Sequence, residues 1–166
     1  MTSFTGGEAM EKRLAEIADN LGEERVLRVG ILKGAQYPDG TSVAMVAAAN
    51  EFGDPSANRP PRPFFRSMIT ECSPQWPEEI SKILKATGFD GKATFALMGE
   101  RISGQLQDSI RETYDPPLSP YTIRKKGFNK PLIDTSHMLN SVSYEVEEVS
   151  SGPLSFWQKV VNFFRR

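Results

Sequence analysis

The run that decides the fold covers residues 91–113, GKATFALMGERISGQLQDSIRET. Apolar side chains recur in it at steps of three and four residues, which predicts one long amphipathic helix. These side chains are Phe95, Met98, Ile102, Leu106 and Ile110. Gly99 and Gly104 would each cost such a helix about 1 kcal/mol relative to alanine. We therefore expect both glycines to permit close helix contact.

Shorter elements surround this helix in the sequence. Branched and alternating apolar residues predict strands at 26–32 and at 142–149. Apolar residues at helical spacing, with serine, proline and glycine at the boundaries, predict further helices at 8–21, 43–52, 64–69 and from 73 onwards. Four prolines predict an extended loop over 54–63, and Thr135 is expected to cap a short helical turn. The sum predicts an α+β fold, with a small antiparallel sheet packed against several helices.

The last part of the sequence differs from the rest. We expect a single domain over 1–149, a hinge at 150–153 and an amphipathic helix at 154–166. The exposed apolar residues of that helix would be Phe156, Trp157, Val160, Phe163 and Phe164. Such a surface must dock, either on its own domain, on another subunit or on a membrane. The hinge favours another chain, and we expect no membrane partner.

Composition narrows the class of protein. The chain has 166 residues, of which 39% are hydrophobic and 25% charged, with a formal net charge of −1. A charge so close to zero predicts no general affinity for nucleic acid, so any basic patch must be local. A single cysteine excludes an intramolecular disulfide and indicates a reducing compartment. No leader peptide or membrane-spanning run is apparent.

The sequence offers little catalytic chemistry. His137 is the only histidine and Cys72 the only cysteine, and neither has partners at metal-ligand spacing. No glycine-rich phosphate loop is present. We expect a protein that is not an enzyme and that holds no metal or cofactor. A hydrolase would need a cleft in which His137 meets Cys72 or a buried carboxylate.

A basic cluster lies at 117–135, PLSPYTIRKKGFNKPLIDT. Ser119 and Pro120 are typical of a helix start, and Gly127 of a left-handed helix end. The cations of this cluster are Arg124, Lys125, Lys126 and Lys130. They either complement the negative end of the helix dipole or face the phosphate backbone of DNA.

A second basic segment, RPPRPFFR, occupies 59–66. A stiff, proline-rich lead-in of this kind either lies in a partner's groove or directs its two aromatic residues into the core of its own domain. We expect Phe64 and Phe65 to enter the core. Its three arginines are candidates for partner docking: Arg59, Arg62 and Arg66.

Four segments occur in a characteristic order: EFG at 51–53, RPPRPFFR at 59–66, PLSPYTIRKKG at 117–127 and PLIDT at 131–135. Leu139, Ser141 and Val142 follow them. Over about residues 26–146, this combination resembles the tail-completion or neck proteins of long-tailed bacteriophages. The shared residues are turns and helix caps rather than catalytic groups. The aromatic residues after 153 are not part of the resemblance.

The resemblance implies a structural virion protein of the neck or tail, assembled in the cytoplasm of the bacterial host. It implies a closed homo-oligomeric ring, commonly a hexamer, around a channel that DNA crosses. Its partners would be the head connector or adaptor and the tail-terminator or tail-tube proteins. We then expect Lys125, Lys126 or Lys130 to approach the lumen. Alternatives are a tail-terminator ring that caps the tube and, in a different class, a small nucleic-acid-binding module.

Overall fold

The computed structural model describes residues 7–22 and 24–149. Its elements in chain order are α1 (Gly7–Leu21), β1 (Arg25–Ile31), α2 (Val43–Phe52), α3 (Phe64–Cys72), α4 (Trp76–Ala86), α5 (Gly91–Glu112), α6 (Pro120–Lys126), α7 (His137–Asn140) and β2 (Val142–Glu148). The predicted α+β class is confirmed. The predicted hinge at 150–153 and helix at 154–166 lie outside the described residues, with Phe156, Trp157, Val160, Phe163 and Phe164.

The two strands pair antiparallel, from Arg25 opposite Glu148 to Ile31 opposite Val142. One face of this ribbon packs against α5, which contacts both strands. The other face is charged, and its glutamates Glu145 and Glu147 form ion pairs with Arg28. Arg28 donates to Glu147 at 2.9 Å. The sheet therefore covers α5 with its apolar side and presents ion pairs to water.

Gly99 is the point of closest approach between α5 and the sheet. A side chain at this position would overlap the ring of Tyr144 on β2. The prediction that Gly99 permits close contact is confirmed, although the neighbour is a strand. The same prediction for Gly104 is wrong, because no described atom lies within 4 Å of where its Cβ would stand.

The core gathers around the apolar stripe of α5. Met98, Leu106 and Ile110 are almost fully buried, and Ile102 is buried beside them. The other buried apolar residues come from every side of this helix: Val43, Ala47, Phe64, Met68, Leu132, Met138, Leu139 and Val142. The stripe read from the sequence thus marks the centre of the fold.

Two local predictions are corrected. The loop at 54–63 is not extended throughout, because Pro55–Ala57 form a turn of 3-10 helix. The carboxylate of Asp54 accepts hydrogen bonds from the N–H groups of Ser56 and Ala57 and so starts that turn. Thr135 does not cap α7. Ser136 separates it from the first helical residue and adopts a left-handed backbone without a side-chain cap bond.

Candidate functional site

Glu51 anchors the start of α3 from the neighbouring helix α2. Its side chain is buried, and its two oxygens accept the N–H groups of Phe65 at 2.9 Å and Arg66 at 3.2 Å. Pro63, which occupies the cap position of α3, provides no side-chain bond. A carboxylate is well suited to replace it, because the first N–H groups of a helix are unpaired and lie at the positive end of its dipole. Glu51 is therefore the cap of α3.

The guanidinium of Arg66 completes this arrangement. Its Nε donates to the Glu51 carboxylate at 2.8 Å, and another of its nitrogens donates to the Glu51 backbone carbonyl at 3.1 Å. The same guanidinium lies 5.1 Å from the centre of the Phe52 ring. Arg66 keeps much of its side chain exposed while it is held in a fixed orientation.

Arg62 is buried and connects two segments that are far apart in the sequence. Its Nε donates to the carbonyl of Pro116 at 2.9 Å, and a terminal nitrogen donates to Pro117 at 3.3 Å. Its backbone N–H donates to Asn50 at 2.7 Å. Burial lowers the pKa of Arg62, and Arg59 lowers it further. Arg62 is used inside the domain and offers little surface to a partner.

The turn after α2 leaves no space for a side chain. Gly53 has φ +78°, and a Cβ there would stand 2.9 Å from the carbonyl oxygen of Arg59 and from the nitrogen of Pro61. Only glycine fits both this backbone conformation and this approach. The segments 51–53, 59–66 and 116–117 thus form one connected unit, which we call the motif framework.

Helix α6 begins and ends as its sequence predicts. The hydroxyl of Ser119 accepts the N–H of Thr122 at 3.2 Å, and Gly127 ends the helix in the left-handed conformation. Lys126, in its last turn, donates to the carbonyls of Lys130, at 2.8 Å, and Ile133. Burial lowers the pKa of the Lys126 ammonium, although the carboxylate of Asp134 acts in the opposite direction. Lys126 therefore holds the loop at 130–133 against α6.

The remaining cations of the cluster are more accessible. Arg124 and Lys125 are exposed on α6. Lys130 is partly buried, and its ammonium lies 5.7 Å from the centre of the Tyr114 ring. Arg59 is exposed on the proline-rich segment. The structure therefore separates the predicted basic residues into two sets. Arg62, Arg66 and Lys126 make hydrogen bonds within the domain, whereas Arg59, Arg124 and Lys125 are exposed and Lys130 is partly buried.

The outer face of α2 is an apolar surface that the sequence analysis did not single out. The helix is apolar on nearly all sides, yet only Val43, Ala47 and Glu51 are buried. Met45 is 69% exposed and Phe52 is 66% exposed. A helix that is apolar all round normally lies in an interior, so this composition was the signal in the sequence.

This outer face borders a groove beside β1. The groove measures about 360 Å³ and is mostly apolar. It is lined by Val29, Gly30, Ile31, Leu32, Ala44, Ala47, Ala48, Glu51, Phe52, Phe64, Phe65, Arg66 and Leu106. Phe64 is buried and Phe65 packs against the core, which confirms the prediction for both. Ala48 and Phe52 line the groove and also belong to the exposed side of α2, so the two surfaces adjoin.

His137 and Cys72 do not meet in a cleft. The Nε2 of His137 donates to the Gln36 carbonyl at 2.8 Å, and its ring lies 4.8 Å from that of Tyr37. Cys72 lines a separate cleft of about 840 Å³, whose described residues are a mixture of acidic, polar and apolar side chains and include no histidine. Burial raises the pKa of the Cys72 thiol, and Glu71 acts in the same direction. Within residues 7–22 and 24–149, His137 therefore does not stand beside Cys72 as a base beside a nucleophile would.

Over 7–22 and 24–149, no group of three or more His, Cys, Asp and Glu residues is placed to hold a metal ion. None of the helices within these same residues is long and apolar enough to cross a membrane. Comparisons of the chain with protein-family models, curated proteins and solved structures found no match.

Proposed function

We propose that this protein is a structural subunit of a tailed-bacteriophage virion. In this proposal it forms part of the neck or tail-completion ring that joins the head connector to the tail tube around the DNA channel. The resemblance of four ordered segments to such proteins suggests the class. The exposed outer face of α2 is the observation that supports assembly into a ring.

The outer face of α2 supports a subunit interface for an energetic reason. Burying apolar surface stabilises an assembly by roughly 25 cal/mol per Å², and Met45 and Phe52 leave most of their surface in water in the single chain. Isolated apolar residues are common on surfaces, but here they continue into the groove beside β1. If the neighbouring subunit covers both with a different part of its own surface, the contact is head-to-tail, which is the type that closes rings.

The motif framework supports a structural role for the residues on which the resemblance depends. Glu51, Arg62 and Gly53 fix how the helices and the proline-rich segment meet. Each makes its contacts within the domain, and the contacts are caps and backbone bonds. Residues of this kind preserve a shape, which is what a ring subunit must repeat at every position.

The accessible cations suit a channel that DNA crosses without strong binding. Arg124 and Lys125 are exposed, while the whole chain has a net charge of −1. A few phosphate contacts on a nearly neutral subunit give weak and salt-dependent attraction. In the proposed ring, the cations that approach the lumen are Arg124, Lys125 and Lys130. Lys126 instead bonds the loop that follows α6.

The proposal is tested by the mass of the purified protein, alone and after mixing with the tail-tube protein of the same phage. We expect a closed oligomer, with six times the 18.5-kDa chain mass as the leading stoichiometry, that binds the tube at its end. A single chain that binds duplex DNA with a steep salt dependence, and that ignores the tube, would overturn the proposal. That result would favour the nucleic-acid-binding module.

A further inference from the structure

We propose that residues 154–166 form a helix that packs antiparallel against α1 of the same chain. The proposal concerns how the single chain completes its fold, so it does not depend on the virion role. It commits the aromatic segment, whose docking partner the sequence leaves open, to one surface.

The receiving surface is the apolar stripe of α1. Met10, Leu14, Ile17 and Leu21 stand four, three and four residues apart, which places them on one side of the helix. Within the part of the chain that the structure describes, no residue of α1 is buried, and Met10 and Leu14 are 62% and 56% exposed. A helix of 15 residues is only marginally stable in water without packing. Ile17 and Leu21 are partly buried, and α1 contacts α5, so the part of the stripe that needs a cover is at Met10 and Leu14.

The chain leaves β2 beside the end of α1. The N–H of Val149 donates to the carbonyl of Glu24 at 2.9 Å. Arg25 joins the two places directly, since it donates to the Leu21 carbonyl at 2.8 Å and to the Glu148 carboxylate at 3.3 Å. The segment after Val149 thus starts next to the last turn of α1.

The lengths agree with an antiparallel pair. Helix α1 has 15 residues, which gives about 22 Å, and a helix over 154–166 would measure about 20 Å. The connector 150–153 can span about 13 Å when extended, whereas packed helix axes lie 8–10 Å apart. A helix that turns back at this connector would therefore run along the whole length of α1.

The side chains match in this register. Phe156, Val160, Phe163 and Phe164 form an apolar stripe at steps of four, three and one residues. With Leu21 near the start of the segment, Val160 lies opposite Leu14 and Phe164 lies opposite Met10. Each stripe would then cover the other along its length.

Charge favours the same direction. Helix α1 carries Glu8, Glu11, Glu16 and Asp19 against Lys12 and Arg13, whereas 154–166 carries Lys159, Arg165 and Arg166 and no acidic residue. The antiparallel arrangement brings Arg165 and Arg166 to the end of α1 that holds Glu8 and Glu11. Exposed side chains of opposite charge attract each other modestly. A parallel arrangement would place the two arginines at the other end of α1, away from the two glutamates.

Disulfide trapping in the full chain tests the proposal. In a Cys72→Ser background, which removes the only native thiol, Leu14→Cys is combined with Val160→Cys. The matched control combines Leu14→Cys with Asn162→Cys, because the proposed helix would place residue 162 on the side opposite its apolar stripe. Under mild oxidation, we expect at least tenfold more disulfide in the first pair, within one chain. Mixing isotopically labelled and unlabelled chains identifies which chain each cysteine belongs to.

Two outcomes of trapping overturn the proposal. Equal trapping in both pairs would mean that the segment docks elsewhere, such as the groove beside β1 or a membrane. A disulfide that joins labelled to unlabelled chains would mean that another copy provides the cover.

Hydrogen exchange gives a second measurement that needs no cysteine. We expect the α1 amides of Val160→Asp to exchange at least tenfold faster than in the native chain, while the amides of α5 keep their protection. Asn162→Asp should match the native chain. Unchanged exchange of α1 in Val160→Asp would contradict the proposal.

Discussion

The two sides of α2 are different kinds of surface. On the inner side, Glu51 is buried and accepts three hydrogen bonds through its carboxylate, from Phe65 and Arg66. On the outer side, Met45 and Phe52 leave most of their surface to water. The same helix thus fixes the shape of the subunit with one face and exposes an apolar surface with the other.

This difference separates two kinds of residue in the resemblance to phage neck proteins. Glu51, Arg62 and Arg66 of the motif framework act within the chain, because their side chains are already hydrogen-bonded there. The residues of the outer face that are proposed for assembly are apolar and exposed, and Met45 belongs to no quoted motif. Substitutions on the inner side should therefore reduce stability, and substitutions on the outer side should reduce assembly.

The largest loss of stability is expected for Glu51→Ala. The change leaves the N–H groups of Phe65 and Arg66 and the guanidinium of Arg66 without their acceptor. We expect the free energy of unfolding to fall by about 3 kcal/mol, since each hydrogen bond to a charged group contributes roughly 1.5–3 kcal/mol. Urea denaturation at a fixed protein concentration measures this.

Glu71→Ala is the matched control, because Glu71 is an exposed glutamate of α3. It should change the free energy of unfolding by no more than about 0.5 kcal/mol. Equal effects of the two substitutions would show that Glu51 is not the cap on which α3 depends.

A smaller effect distinguishes two neighbouring lysines of α6. Lys126→Met removes the donor to the carbonyls of Lys130 and Ile133 and should reduce the free energy of unfolding by about 1.5 kcal/mol. Lys125→Met should leave it within about 0.5 kcal/mol of the native value, because Lys125 is exposed. Thermal or urea unfolding of both variants measures the difference, and equal losses would contradict the separate roles of the two residues.

Much of the fold could be predicted from local patterns. The α5 stripe, the bounds of α2, the caps of α6 and the two strands all depend on residues close together in sequence. The cap at Thr135 was wrong because the left-handed backbone at Ser136 moves the start of α7 by one residue. Spacing alone gives no sign of such a backbone.

The candidate site was harder to predict, since its bonds join distant segments. Nothing near Arg62 indicates that it donates to Pro116 and Pro117, which lie more than fifty residues away. Lys126 likewise looks the same as Lys125 in the sequence, and only tertiary structure gives it carbonyl partners. The outer face of α2 did have a local signal, because the sequence of α2 is apolar on nearly all sides. The helical pattern alone does not say which of these sides contacts a partner.

The central claim is that the outer face of α2 is a subunit interface. The most direct measurement is the mass in solution, by light scattering, of the native chain, Met45→Lys and Ser81→Lys. Ser81 is exposed on α4, so its substitution adds the same charge elsewhere. We predict a closed oligomer for the native chain and Ser81→Lys, and a folded single chain for Met45→Lys, whose stability should change by no more than about 0.5 kcal/mol. A native chain that stays single at every concentration, or a Met45→Lys variant that forms the same oligomer, would contradict the account.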